Sequence, residues 1–562
     1  MSIDSTGFYR SACRVFLAAV FVVLAAMATA AAPAVAAPKA ALEVDVNPGP
    51  SSSEATYLFP FKGYLYFSAD GGKRGSELWR TRNGSRQLVS DINPGPESSD
   101  PRYFTVLGDQ IYFAATTAET GTELWRSDGN VTELVSDINP GESSSNPRDL
   151  TPLGNDILFT ALDNASGREI RRSDGSVTEI VGDINPGAFS SNPAELTKLD
   201  DHVYFRANNG VSGLELWRAD ADNATFWANI NPGADSSNPS GFTPFKGMLY
   251  FRATVAGVGT ELYRADHLQL QQVADIFPGV TSSSPAEFTQ VGDHLYFRAS
   301  DPGSGPELWR TDGALPVADT ELFKDINPGA SGSNPSSLEA IGGKLYFSAN
   351  DGLQGKEPWR SDGSAITLLG DVNPGPGSSS PDDFSQLAGR VYFLATSDEN
   401  EGEELWTLRG GKPELFADIL EGPQGSDAYN FTEFGNKLYF VADDGLHGYE
   451  IWAISNRTAS KLKILSGKVR MSRAGKVKVK LKCPSSGESV SCVGKLTLKV
   501  KGKGKIAGKG FKVPAGKTRK VSLKLGNGAK RLVRKKAFAR KPVAVAKYQG
   551  ETVRKKLKLK VG

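Results

Sequence analysis

Three sets of residues in this chain carry groups able to bind or react. The first is an aspartate in the phrase DINPG or a close variant: Asp45, Asp91, Asp137, Asp183, Asp275, Asp325, Asp371 and Asp418, with Asn229 in the remaining copy. Serines usually follow it, so calcium is a chemistry to weigh. Calcium takes about six to eight oxygens, several from carboxylates, and each copy offers one dependable carboxylate. The expected reading is an Asx-type turn, with Pro setting φ and Gly taking a left-handed position; calcium is its rival. The second set is the glutamate of ELW and its variants, at Glu77, Glu123, Glu169, Glu215, Glu261, Glu307, Glu357, Glu404 and Glu450. A catalytic acid needs one special environment rather than nine alike. A structural bond to a neighbouring strand or blade, or to the following arginine (Arg80, Arg126, Arg172, Arg218, Arg264, Arg310, Arg360), is expected instead. The third set is Cys483 and Cys492, in CPSSGESVSC. An even pair in an exported chain reads as a disulfide, and closing so short a loop stabilises by roughly 2–3 kcal/mol.

Other chemistry is sparse. The four histidines, His202, His267, His294 and His447, are scattered. No G-x-S-x-G elbow or phosphate loop occurs. No catalytic, cofactor-binding or metal-binding residue is assigned, and the expectation is a protein that is not an enzyme. The rival is a propeller-type carbohydrate-active enzyme, a glycan hydrolase or lyase with catalytic groups on different blades.

The elements that would position these groups recur with a fixed period. The ELW aromatic position falls at Trp79, Trp125, Arg171, Trp217, Tyr263, Trp309, Trp359, Trp406 and Trp452, with gaps of 46 five times and then 50, 47 and 46. The long gap marks an insertion near 313–323. Each copy holds four strand-like runs, as in SSLEAIGG, KLYFSAN, KEPWRSDG and ITLLGDVNPG. Four short strands every ~46 residues is the size of a β-propeller blade. In LYF and ELW large apolar residues stand side by side and point to opposite faces, so both faces must be covered, as when blades stack around a ring. The ELW aromatics are therefore structural hallmarks. A lone run at 41–49, ALEVDVNPG, matches a fourth strand and can complete the last blade. The predicted fold is all-β, a propeller of about nine four-stranded blades over 37–458. Eight blades plus an irregular unit, or an open array, are the alternatives.

The phrases ELWRSDG, DINPG and LYFxA resemble the ELWxxDGT repeat family, also described as hyalin-like. The likeness covers about Asp45–Trp452. It implies an exported, repeat-built bacterial protein with a propeller fold and no shared activity. Sialidase-type propellers are similar in outline, but their Asp-box pattern is not cleanly present. Copies that depart from the repeat, E-I-R-R at Glu169–Arg172, E-P-W-R at Glu357–Arg360 and the two with no DG after Trp406 or Trp452, are expected where the ring is irregular or where something binds.

The two ends differ from the repeats. Arg10 and Arg14 precede an apolar run from Phe16, and Ala34-Val35-Ala36 offers small residues for cleavage, so 1–36 reads as a secretory signal. No later segment reaches ~18 consecutive apolar residues, so no membrane span is expected after cleavage. After a linker at 459–465, residues 466–562 hold 31 Lys and Arg against two acids, a net +29. The remainder carries 34 basic and 61 acidic residues, a net −27. KVKVKLK and KLTLKV alternate lysine with apolar residues, the period of a half-buried strand. The tail is expected to be an Ig-like β-sandwich, and it resembles lysine-rich C-terminal domains of exported actinobacterial proteins. So lopsided a charge favours a polyanionic partner. The expected whole is a secreted or cell-surface binding and scaffold protein: propeller loops recognise a glycan or protein, and the tail attaches to an anionic surface polymer or polysaccharide.

Overall fold

The computed structural model describes residues 39–314, 319–398, 401–455, 462–483, 492–500, 504–514, 517–534, 542–548 and 551–561. The expected signal, 1–36, and the start of the expected linker lie outside them.

Among the described residues, 40–455 form nine four-stranded antiparallel sheets. Blade 1 is built from Thr56–Phe61, Tyr64–Asp70, Ser76–Arg82 and Ser85–Ser90. Blades 2 to 8 repeat this order, ending at Ala417. Blade 9 takes Tyr429–Phe434, Lys437–Asp443 and Tyr449–Ser455, and its fourth strand is Ala40–Val44 from the other end of the array. That clasp runs antiparallel to Tyr449–Ser455, with Leu42 opposite Trp452. The innermost strands of successive blades touch all the way round, blade 9 meeting blade 1. The ring is therefore closed at nine blades, which excludes the eight-bladed and open alternatives.

Stacking explains the side-by-side apolar residues. Leu65, Tyr66, Phe67, Ser68 and Ala69 are all buried, so both faces of this strand are covered. The cores lie between blades. Phe61, Tyr66 and Leu78 of blade 1 meet Ile111, Phe113 and Ala115 of blade 2. Val44, Val46, Val441 and Ile451 meet Leu58, Leu65 and Phe67 across the closure. No blade fills its own faces, so each depends on its two neighbours.

The hallmark aromatics seal these seams. Trp79, Trp125, Trp217, Tyr263, Trp309, Trp359, Trp406 and Trp452 each pack into the core shared with the preceding blade. Trp79 also lies under the loop after the second strand: a Cβ on Gly71 would stand 2.6 Å from its ring. Blade 3 has Arg171 at this position. It is 8% exposed and pairs with Asp163 and Ser166. The expectation that the departing copies mark irregular blades is corrected for strand order and second-to-third-strand register, which blades 3, 7, 8 and 9 keep. Blade 7 departs only in its fourth strand, cut to Ile366–Leu368 without the register shift of the other blades. In blade 3 an ion pair fills the aromatic's place. Arg171→Ala should lower stability by about 3 kcal/mol, since it empties the aromatic's place in the seam as well as removing the ion pair with Asp163. Arg171→Trp should hold or raise it, because Asp163 keeps the N–H groups of Ala165 and Ser166. Denaturant midpoints of the two variants check this.

The tail has two sheets around one core. Five strands (Lys463–Ile464, Lys468–Met471, Lys476–Lys482, Thr518–Lys524 and Lys558–Val561) form one sheet, and four (Cys492–Val500, Gly504–Val513, Val543–Tyr548 and Glu551–Lys556) form the other. Val477, Val479, Leu481, Leu496, Leu498 and Leu523 fill the space between. A helix, Asn527–Arg534, follows Thr518–Lys524 and was not foreseen from the strand-like alternation around it. Cys483 is buried and disulfide-bonded. The side chain of its expected partner, Cys492, lies outside the described residues.

Candidate binding surfaces of the ring and the tail

The repeated glutamate is a structural bolt. In blade 4, Glu215 accepts the N–H of Ile230 at 2.7 Å, the N–H of Ser237 at 2.7 Å and the Ser237 hydroxyl at 2.7 Å. Every blade repeats this grip on the connector leading to its neighbour, or, in blade 9, on the connector after the clasp. The serines after DINPG therefore satisfy a buried carboxylate. The expected pairing of this glutamate with the following arginine is corrected. That arginine turns to the fourth strand and the next blade: Arg80 donates to Gln87 and Tyr66 and to the Gly129 carbonyl of blade 2. Glutamate and arginine are three residues apart along a strand, so they point to opposite faces.

The buried setting raises the carboxyl affinity for protons. Desolvation pushes Glu77 and Glu450 up to about 7, against the opposing pull of their N–H and hydroxyl donors. The other seven are raised by the same cause. The unfolded chain then releases these protons first as pH rises, so stability falls between about pH 4.5 and 7 and levels off above. Unfolding midpoints should be higher at pH 5.5 than at pH 8; a flat or rising profile would refute the shift.

The DINPG aspartate also acts locally. Asp137, Asp183 and Asp371 each accept the N–H of the glycine four residues on, at 3.2 Å. Among the described residues no group of three or more His, Cys, Asp or Glu is placed to hold a metal.

The ring's sides differ at one corner. The residue two before the start of each inner strand has a left-handed backbone: Glu54 (φ 48), Asp100 (φ 44), Asn146, Asn192, Asn238, Ser284, Asn334, Ser380 and Asp427 (φ 42). Six are the neutral Asn or Ser, and the three acids stand together across blades 9, 1 and 2. Tyrosines cluster in the same sector. Tyr57 and Tyr103, also left-handed, are 40% and 41% exposed, with ring centres 5.9 Å apart. Tyr429 and Tyr449 lie 6.1 Å apart, and the Tyr449 hydroxyl meets Asp427 at 3.0 Å. Glu54, Tyr57, Asp100, Asp427, Tyr429 and Tyr449, with Ser68, Ser76 and Arg102, line a cavity of about 600 Å³, and Tyr103 stands beside it against the Tyr57 ring. The sequence held the signal for this corner as a column of Asn and Ser broken by acids, but only the closed ring brings blade 9 beside blades 1 and 2.

The tail presents a cationic sheet. Lys476, Lys478, Lys480 and Lys482 all project to the exposed face of one strand. Across the sheet, Lys476 faces Lys524, Lys480 faces Lys520 and Lys463 faces Lys482. Like charges directly opposite one another are destabilising in isolation.

Among the described residues, no helix is long and apolar enough to cross a membrane. No protein-family model and no curated relative matches the chain. Solved structures similar to it include a bacterial surface component of the type-IX secretion system of Porphyromonas gingivalis (10% identity, TM-score 0.33, covering 90% of this chain and 75% of that one). Another is the β-propeller domain of the Trilobed protease from Pyrococcus furiosus (13%, TM-score 0.29, 57% and 98%). A third is a puromycin-hydrolysing peptidase of Mycobacterium tuberculosis (12%, TM-score 0.35, 76% and 64%). The last corrects the expectation that the chain is not an enzyme: propellers occur within peptidases, so the fold and the repeats do not exclude catalysis. At these identities and scores the likeness assigns no activity; the closed ring of nine four-stranded sheets is what makes this chain a β-propeller protein.

Proposed function

We propose that the chain is an exported surface protein of the ELWxxDGT repeat type, with an acidic propeller for recognition and a basic sandwich for attachment. The observation that carries attachment is the lysine sheet. Its rows of like-charged neighbours are relieved by a polyanion lying across them, and counter-ions released on binding add to the gain. The chemistry fits an anionic wall polymer or acidic polysaccharide. Nucleic acid fits less well, because aromatics for base stacking are few in the tail: Phe511, Phe538 and Tyr548. Recognition by the ring is assigned to the channel mouth, where blades 9, 1 and 2 break the repeat.

The full chain should bind a phosphodiester-linked wall polymer at low salt and release it when the screening length falls to about 3 Å near 1 M salt. Changing Lys476, Lys478, Lys480 and Lys482 to Gln should weaken that binding at least tenfold without moving the unfolding midpoint downward. Equal binding by wild type and variant, or insensitivity to salt, would overturn the attachment reading.

A further inference from the structure

We propose that the cavity between blades 9, 1 and 2 is a saccharide site, holding one pyranose ring at the mouth of the channel. This deepens the recognition half of the reading above and rests on it.

Placement comes first. Nine near-identical frames surround the channel, so a sector in which several columns change together is set apart from what the fold requires. The corner column is neutral in six blades and acidic in three adjacent ones. Three residues on, at the second residue of the inner strand, the left-handed column carries Tyr57 and Tyr103 in neighbouring blades. A bulky side chain with positive φ is disfavoured, whereas Gly, Asn and Asp accept it more readily. Gly241, Asn430, Asp149 and Asp383 at the same column show the cheaper choices. The two tyrosines are thus costly to the fold and substantially open to solvent.

Ligand chemistry comes second. A cavity of about 600 Å³ is in the size range of a small-molecule site. Its lining combines flat aromatic surface with carboxylates and the hydroxyls of Ser68 and Ser76. A pyranose has the matching parts: an apolar C–H face to lie on a tyrosine and a rim of vicinal hydroxyls to donate to carboxylate oxygens. Asn and Ser at the other six corners could already accept from hydroxyls. Changing them to Asp and Glu makes those bonds charge-assisted and roughly twice as strong. A simple organic cation fits less well, because Arg102 already sits 5.9 Å from the centre of the Tyr103 ring. Tyr429 is held as the neutral phenol: burial and the nearby Glu54 push it up to about 12, and its hydroxyl donates to the Ala55 carbonyl at 3.3 Å. That fixes one wall of the cavity across the closure between blades 9 and 1.

The test uses the full chain and a panel of neutral methyl glycosides (glucose, galactose, mannose, xylose and N-acetylglucosamine), with glucosamine as a cationic comparison, read by saturation-transfer NMR and calorimetry. At least one neutral glycoside should bind saturably. Tyr57→Ala with Tyr103→Ala should weaken it about tenfold or more, whereas the Phe pair should keep most of it, because the C–H face needs only the ring. Asp100→Asn and Asp427→Asn install the residue found in other blades, so folding is expected to survive, and each should weaken binding about tenfold. The proposal falls if no neutral glycoside binds, if only glucosamine binds, or if binding is undiminished in folded Tyr and Asp variants. Polymer binding by the tail is measured on the same variants. In the variants it should persist while glycoside binding falls; a wild-type chain that binds polymer but no neutral glycoside would sink the saccharide site alone, and one that binds a glycoside but no polymer would sink attachment alone.

Discussion

Glu215→Ala should lower the stability of the ring by about 3–5 kcal/mol, among the largest losses available from one side chain. The carboxylate is fully buried and holds three donors, from Ile230 and Ser237. An alanine leaves those donors without an acceptor in a space closed to bulk water, and each buried unsatisfied group costs about 1–3 kcal/mol. Relief from burying a charge offsets part of this. Glu215→Gln should lose nearly as much, because an amide has one accepting oxygen and turns an NH2 group toward other donors. The contrast is Glu133→Ala, which removes an exposed partner of Arg126 and should cost less than about 1 kcal/mol. Urea midpoints for the three variants decide it. Equal small losses at Glu215 and Glu133 would mean that the connector is held by packing rather than by the bolt. Because neighbouring blades share their cores, the Glu215 variant should unfold the ring as one transition.

The bolt also shows what could and could not be read from residues alone. Repetition in all nine copies argued that the glutamate is structural, and the structure agrees. Its partners were out of reach, because Ile230 and Ser237 lie on a connector fifteen and twenty-two residues on, whose path is set by the next blade. The arginine of ELWR was the nearer candidate in sequence, and strand alternation rules it out. The blade count was legible from the period, and the lone 41–49 run pointed to closure, since a fourth strand without three others needs an edge to join. The tail helix was hidden by its length of eight residues and by basic residues that suit either element. The candidate cavity was hidden for a different reason. Tyr57 and Tyr429 are far apart in sequence, and neither stands out until the ring closes.

Closure itself carries the second large effect. A chain beginning at Pro48 should lose about 5 kcal/mol or more of ring stability and should self-associate. Four contributions are removed together. The antiparallel ladder from Ala40–Ile454 to Val44–Ile451 disappears. Val44 and Val46 leave the closure core, each worth about 1.5–3 kcal/mol when fully buried. Glu450 loses the N–H groups of Val46 and Asn47. The half-buried pair of Lys437 and Glu43 is also broken. What remains is an open edge along Tyr449–Ser455, a template for another chain. Light scattering should then show dimers or larger species, and the unfolding midpoint should drop. Adding the peptide spanning 39–47 in trans should restore the monomer, since the missing strand makes no covalent demand beyond its own end. A truncated chain that stays monomeric with an unchanged midpoint would show that the inner-strand contacts between blades 9 and 1 close the ring unaided. The clasp begins at Ala40, so a cut after Ala36, the position expected from the sequence, would leave intact the strand on which closure depends.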